Sequence, residues 1–454
     1  MQSTAMGRRA FLAGSTGFFA ALAAPAAAVP ESGEGGSQKG EAAGGKLIAS
    51  APMLQNAAET SMGVAWAVSA DANGFVEVSE SPDMSGARRV KCGGYRVTGM
   101  NDKVMQVRLT GLKPATRYYY RIGADRIEYK GGYSMKRLGT EMDGKVRSFT
   151  TLGAAAKSHF CVVNDTHERT PSMNLVFDKL AELAPSCVLW NGDACNVQET
   201  VDSLVEVFLN PKIKRQDYAA ETPYLLCPGN HEQRGRAARR LEDVFMFRQP
   251  EERSSRDWDL GRNFAVRCGD IAMVGLDTGE DRPDNSGFGA GLFSNGPYRE
   301  AQTAWLRDAL RRPDVASAPF LVAFCHIPLY SPKWYGDPIP GQENNQAWRR
   351  MCGDAWGPLL DEAGCQLVVC GHTHRYSYTE KVPGRSWSQL VGGGPDLCRR
   401  FDRELKKSVP DEGRFPTVIE GKVEGGELVV TVHNVYRKTV AGSFRYQPRG
   451  KEIA

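Results

Sequence analysis

Histidine is scarce in this chain, with seven in 454 residues. Charge of one sign is scarce too. Lys and Arg number 57 against 53 Asp and Glu, a net +4, and Arg8 and Arg9 fall in a segment expected to be removed. So small an excess offers no electrostatic attraction for nucleic acid or an acidic membrane, and neither partner is expected. No Cys-x-x-Cys occurs, which excludes zinc ribbons and thioredoxin-type sites. Eleven cysteines spread over so long a chain are no small disulfide framework. Cys161 and Cys370 lie inside apolar, strand-like runs and read as small buried hydrophobes; one or two disulfides stay open, with no pairing to be had from the sequence. With 41% hydrophobic and 24% charged residues, neither a disordered chain nor a polytopic membrane protein fits. The length allows two or three domains and a large core.

What is present begins with an export pattern. Arg8-Arg9 precedes Phe11-Leu12, a mild apolar run follows to Leu22, and Ala26-Ala27-Ala28 ends it. Residues 1–28 read as a signal of twin-arginine (Tat) type, which implies a periplasmic or secreted protein. A single membrane anchor is the competing reading, weakened by Gly14, Ser15, Thr16, Gly17 and Pro25 within the run. No stable membrane partner is expected after cleavage. Residues 29–46, rich in Gly, Ser and Glu, form a flexible linker.

Residues 47–151 show little helical periodicity. Short β-branched and aromatic runs, such as those starting at Gly63, Phe75, Val104 and Tyr118, recur between Gly, Asn, Asp and Pro breaks, as in an antiparallel sandwich. The stretch from Leu112 to Tyr118 resembles the fibronectin type III pattern in which a Tyr closes a corner, with Trp66 as the matching core residue. No cluster of His or carboxylates appears here, so support is the expected role.

Beyond residue 157 apolar strands alternate with helical stretches. Phe160-Cys-Val-Val runs into Asp165-Thr-His167. Cys187-Val-Leu-Trp leads to Gly192-Asp193, and Tyr224-Leu-Leu-Cys to Gly229-Asn230-His231-Glu232. Phe320 to Cys325 is followed by His326, and Leu367-Val-Val-Cys by Gly371-His372-Thr-His374. This is an α/β layout with functional groups at the carboxyl ends of strands, where such sheets place their sites. Each tag alone is a weak signal. Together they put five of the seven histidines at strand ends, leaving only His159 and His433 elsewhere.

The ordered set of D-x-H, G-D, G-N-H-E, H and G-H-x-H resembles the calcineurin-like metallophosphoesterase superfamily over residues 157–440. That resemblance implies a four-layer αββα sandwich catalytic domain, preceded here by the small all-β sandwich, whose end at Arg147–Thr151 is similar to the domain before the catalytic domain in purple acid phosphatases. It also implies two divalent metal ions (Zn, Mn or Fe), one held by Asp165, His167, Asp193 and His374. The other would be held by Asp193, Asn230, His326 and His372, with Asp193 shared. A carboxylate bridges two cations about 3.5–4 Å apart while offsetting their repulsion, and a bridging hydroxide then attacks phosphorus. In the family the position of His231 faces the leaving group; Glu232 is expected to orient it as a catalytic dyad. Purple enzymes carry D-x-G at the first motif and a Tyr three residues after the second Asp. This chain has Asp165-Thr-His167 and Asn196, so a colourless site with two divalent ions is expected.

The resemblance leads to an exported phosphoesterase acting on small phosphomonoesters. A phosphodiesterase or nucleotide hydrolase on the same core is the alternative, and a non-catalytic, metal-stabilised binding protein the remote one. Arg169, Tyr330 and Trp334 are the candidate substrate contacts, the last two in a stretch rich in aromatics and Pro.

Overall fold

The computed structural model describes residues 45–93, 99–247, 258–330, 343–381, 383–402 and 404–450, with the side chains of 343–350 left aside. The proposed signal, most of the linker and Trp334 lie outside the described residues. Residues 46–454 form one compact unit. No helix among the described residues is long and apolar enough to cross a membrane.

Side-chain alternation along the strands sets the architecture. In His159–Val163, Phe160 and Val162 point into the core shared by two sheets, while Cys161 and Val163 point to a second core with the helices. Successive strand residues face opposite ways, so a strand with apolar residues at every position is covered on both sides. The same division holds in Cys187–Asn191, whose Leu189 faces the partner sheet and whose Val188 and Trp190 face the helices. Helices Thr170–Leu183 and Val201–Phe208 cover the outer face of the first sheet. Asn295–Arg311, Pro313–Ala316 and Glu343–Glu362 cover that of the second. The result is four layers, αββα. Met173, Val176, Phe177 and Leu180 form the buried stripe of helix Thr170–Leu183, with Leu175 and Leu183 at its margins.

Within the first sheet, His159–Val163, Cys187–Asn191 and Tyr224–Cys227 run parallel, and Thr417–Glu424 lies antiparallel beside them. In the second, Ile271–Leu276, Phe320–Cys325, Leu367–Cys370 and Ser388–Val391 are parallel. The carboxyl ends of both parallel sets meet at one edge of the sandwich.

The N-terminal β-region is not wholly separate, a feature the spacing of its strands did not reveal. Its strands Met53–Gln55, Met62–Ala67 and Val104–Leu109 continue the first sheet, joined where Gln55 pairs with Tyr224. Its remaining strands form a second, six-stranded sheet. Trp66 is fully buried, and the Tyr118 hydroxyl accepts the Lys113 backbone N–H at 2.9 Å, closing the expected corner. Tyr120 donates to the Ala220 carbonyl at 2.5 Å, tying this region to a loop of the α/β part. All eleven cysteines are buried and unpaired.

The two histidines away from strand ends share one carboxylate. His159 Nε2 lies 3.0 Å from Glu420 Oε1, and His433 Nε2 3.1 Å from Oε2, clasping three adjacent strands. These bonds hold the Glu420 carboxyl well below its ordinary value of 4.5. A depressed carboxyl stabilises the fold above that value and loses the contribution as pH falls below it. Glu420→Gln should therefore lower unfolding stability by about 1–3 kcal/mol at pH 7. In denaturant titrations at pH 7 and pH 4 the gap between the two proteins should narrow at the lower pH.

Candidate metal centre

Three of the strands at the meeting edge, His159–Val163, Cys187–Asn191 and Leu367–Cys370, lead into turns that reverse the backbone sharply. Asp165, His167, Asp193, His372 and His374 all have positive φ, from 44° to 72°. Side chains other than Gly avoid this region, so five non-glycine residues held there at one edge mark a constrained site. Gly192, with φ of 80°, makes room as well. A Cβ on it would stand 2.3 Å from the His326 ring.

These turns bring two overlapping groups together. The ligand atoms of Asp165, His167, Asp193 and His374 lie within 4.8 Å of one another, as do those of Asp193, His326 and His372. Asp193 belongs to both. His326 Nε2 is 3.1 Å from Asp193 Oδ2, and His374 Nε2 is 3.4 Å from Asp165 Oδ1. Asn230 Oδ1 sits 3.0 Å from His372 Nδ1. The seven residues expected to hold metal thus converge.

The donor chemistry fits cations. His326 Nδ1 faces the Asn191 carbonyl at 2.8 Å, so that nitrogen carries a proton and Nε2 is the one aimed at the centre. This Nε2 is buried without a hydrogen-bond partner. Asn196 Nδ2 donates to the His167 carbonyl and to Glu168, which leaves its Oδ1 to accept from His167 Nδ1 at 3.1 Å. His167 Nε2 then points its lone pair at His374 Nε2, 2.9 Å away. Fixing the far nitrogen is how proteins orient imidazole ligands. Burial pushes His167 down to about 4, in the neutral form that ligates. Burial also disfavours charge on Asp165, but His326 and His374 hold its carboxyl at about 2. His326 is pushed up to about 10 by Asp193 and Asp165 against the effect of burial. The buried carboxylates demand positive charge.

Two expected roles need correction. Glu232 does not orient His231. Its carboxylate accepts the backbone N–H groups of Asp193, Ala194, Cys195 and Gly229 at 2.6–3.3 Å, pinning the two ligand turns to each other. Nor does His231 direct a proton outward. Its Nδ1 lies 2.7 Å from the Asn196 carbonyl, which can only accept. Its Nε2 lies 3.0 Å from Arg234 Nη1, which can only donate. His231 is thus the Nδ1–H tautomer, and Arg234 is the charged donor beside the centre. Arg234 is held in turn by Glu280 and Asp281 at 2.7 and 3.1 Å. Asp281 Oδ2 comes within 3.9 Å of His372 Nε2, and burial and Glu280 push Asp281 up to about 7.

The candidate substrate contacts separate. Arg169 is exposed two residues past His167, with no side-chain hydrogen bond or ion pair among the described residues. Tyr330 is half-buried, its ring stacked on Trp387 at 4.6 Å and 10° against the core behind the second sheet. Sequence reasoning missed Arg234, Glu280 and Asp281. Asn196 stood out only as the place of an absent Tyr.

Comparison with known proteins agrees with this geometry. Residues 158–376 match the calcineurin-like phosphoesterase family, and residues 51–151 the purple acid phosphatase N-terminal domain. The chain carries a calcineurin-like phosphoesterase domain. Among relatives, purple acid phosphatase 23 of Arabidopsis thaliana is 24% identical over 303 residues, 62% of this chain and 58% of that protein. Purple acid phosphatase 18 of the same plant is 27% identical over 37% of this chain and 33% of its own length. The chain therefore spans between a third and three fifths of these relatives. The purple acid phosphatase PPD1 from yellow lupin seeds shares the fold with a TM-score of 0.60 at 15% identity, covering 88% of this chain and 75% of its own. PhoD does so with a TM-score of 0.60 at 12% identity, covering 89% and 92%.

Replacing Glu232 by Gln turns one acceptor into a donor facing backbone N–H groups. Glu232→Gln should cost about 3 kcal/mol of stability and lower metal content, read by thermal unfolding and elemental analysis. The pH dependence of turnover at residual metal should stay in place, whereas a His231–Glu232 dyad would shift it.

Proposed function

We propose that this protein is an exported, binuclear metal-dependent phosphoesterase that hydrolyses small phosphomonoesters. The observation that carries the reading is the pair of ligand groups sharing Asp193 at the carboxyl ends of the strands. Asp165, His167, Asp193 and His374 would hold one ion, and Asp193, Asn230, His326 and His372 the other. When bound, two such ions supply Lewis acidity toward a phosphoryl group and a water nucleophile at neutral pH.

The chain's own groups complete the site. Asn191 and Asn196 keep His326 and His167 in the ligating tautomer. The His231 backbone N–H donates to Asp193 Oδ1 at 3.0 Å, steadying the shared carboxylate. Arg234, braced by His231, Glu280 and Asp281, places a fixed positive charge at the rim, suited to phosphoryl oxygens. With Asn196 in place of the family's Tyr, no phenolate stands at that position to colour a ferric ion.

Protein purified without chelator should contain two divalent ions per chain, lack visible absorption, and hydrolyse p-nitrophenyl phosphate in preference to its bis-ester. Asp193→Asn should lower the rate by more than about 100-fold, beyond the upper end of what losing an outer partner of a metal costs. His231→Ala should slow p-nitrophenyl and alkyl phosphates by similar factors. A proton donor would instead be missed most with the alkyl ester, by about 10²–10⁴-fold. A strong bis-ester preference would assign the site to phosphodiesters, and no turnover with any divalent metal would favour a binding protein.

Export rests on the Arg8-Arg9 segment. Converting Arg8 and Arg9 to Lys should leave the folded protein in the cytoplasm, as fractionation would show.

A further inference from the structure

Beside the first ligand group lies a cavity of about 360 Å³ that the metal centre does not use. It is lined by Arg169, Pro395, Asp396, Arg399, Arg400 and Phe401, among others. Two connections set it against the centre. Arg169 follows His167 by two residues. Pro395 and Asp396 follow Gly394, whose backbone lies so close to His374 that a Cβ there would be 2.6 Å from the His374 Cβ. The far wall is a hairpin of Arg399–Asp402 and Lys407–Pro410, which pairs with neither large sheet.

The cavity's charge is positive. Asp396 is its one acid, and Arg414 ties it up at 3.1 Å. Arg399 spends its guanidinium on Ser408, and Arg400 pairs with Asp402 at 3.0 Å. Arg169 has no partner among the described residues. Pro171 and Ser172, in the first turn of helix Thr170–Leu183, also line it, adding the positive end of a helix dipole. Phe401, 65% exposed, gives an apolar edge. Guanidinium groups bind phosphate through paired, charge-assisted hydrogen bonds.

We infer that this cavity is a second anion subsite, and that the natural substrate is a small organic phosphate bearing another phosphate group beyond the one removed. This rests on the phosphoesterase reading. The second phosphate would lie between Arg169 and the hairpin while the scissile group meets the metal centre. Specificity would come from KM, since the distant group is bound alike before and during reaction.

The test compares a hexose 1,6-bisphosphate with the matching 6-phosphate on the metal-loaded full chain. The bisphosphate should show a KM at least about tenfold lower, the lower end for a hydrogen bond to a charged group. In the double variant Arg169→Gln/Arg400→Gln the ratio of the two KM values should fall close to one. Equal KM values in the parent protein, or a ratio that survives in the variant, would overturn the inference. If neither sugar phosphate turns over but p-nitrophenyl phosphate does, the same discrimination is read from their inhibition constants. If p-nitrophenyl phosphate is inert as well, the phosphoesterase reading fails. Calorimetric titration of the bisphosphate into the parent and variant then decides the subsite alone, with tighter binding to the parent expected and equal binding refuting it.

Discussion

Two carboxylates, Asp165 and Asp193, are buried side by side with almost no exposure, and the local structure answers that constraint. Ionised groups removed from water cost several kcal/mol each unless paired. Four imidazole rings, of His167, His326, His372 and His374, therefore crowd around them. Backbone N–H groups supply more: that of His372 reaches Asp165 at 2.8 Å, and that of His231 reaches Asp193. A third buried carboxylate, Glu232, is compensated by four backbone N–H groups and the Cys195 thiol. It converts the turn after one strand and the turn after the next into a single rigid piece. The positive φ values of Asp165, His167, Asp193, His372 and His374 follow from the same demand, because sharply reversed turns aim nearby side chains and amides at one point.

The scaffold resists that strain through its sheets. Strands covered on both faces are hard to displace, and the N-terminal β-region extends the first sheet instead of hanging from it. Tyr120 and the pairing of Gln55 with Tyr224 make the supporting region part of the platform. The Glu420 clasp does similar work at the other side, joining the strand that delivers Asp165 to its antiparallel neighbour and to the strand beyond. Around this rigid edge the variable parts are loops: the polar segment carrying Glu280 and Asp281, and the basic hairpin beyond Arg399.

The fold class was legible from the alternation of apolar strands with helical stretches, and the ligand set from polar tags at strand ends. Asp165, His167, Asp193, Asn230, His326, His372 and His374 each follow an apolar run closely, and the ordered set of these tags, through its resemblance to a known superfamily, marked them as ligands. Glu232 and His231 show where that logic stops. Adjacent in sequence, they face different partners, because the short 3₁₀ turn His231–Gln233 rotates one toward the ligand turns and the other toward Arg234. Tyr330 shows the same limit: its ring stacks on Trp387, a residue far along the chain.

What the sequence determined by itself was the order of strands, the residues at their ends and the near-neutral charge, all encoded within a few neighbouring positions. What only the tertiary structure decided was which distant groups meet: Arg234 with His231 and Asp281, Asn196 with His167, Arg169 with the Arg399 hairpin, and the β-region with the catalytic sheet. Those pairings depend on how sheets stack and where loops return. A one-dimensional pattern carries no measure of distance between residues far apart in the chain.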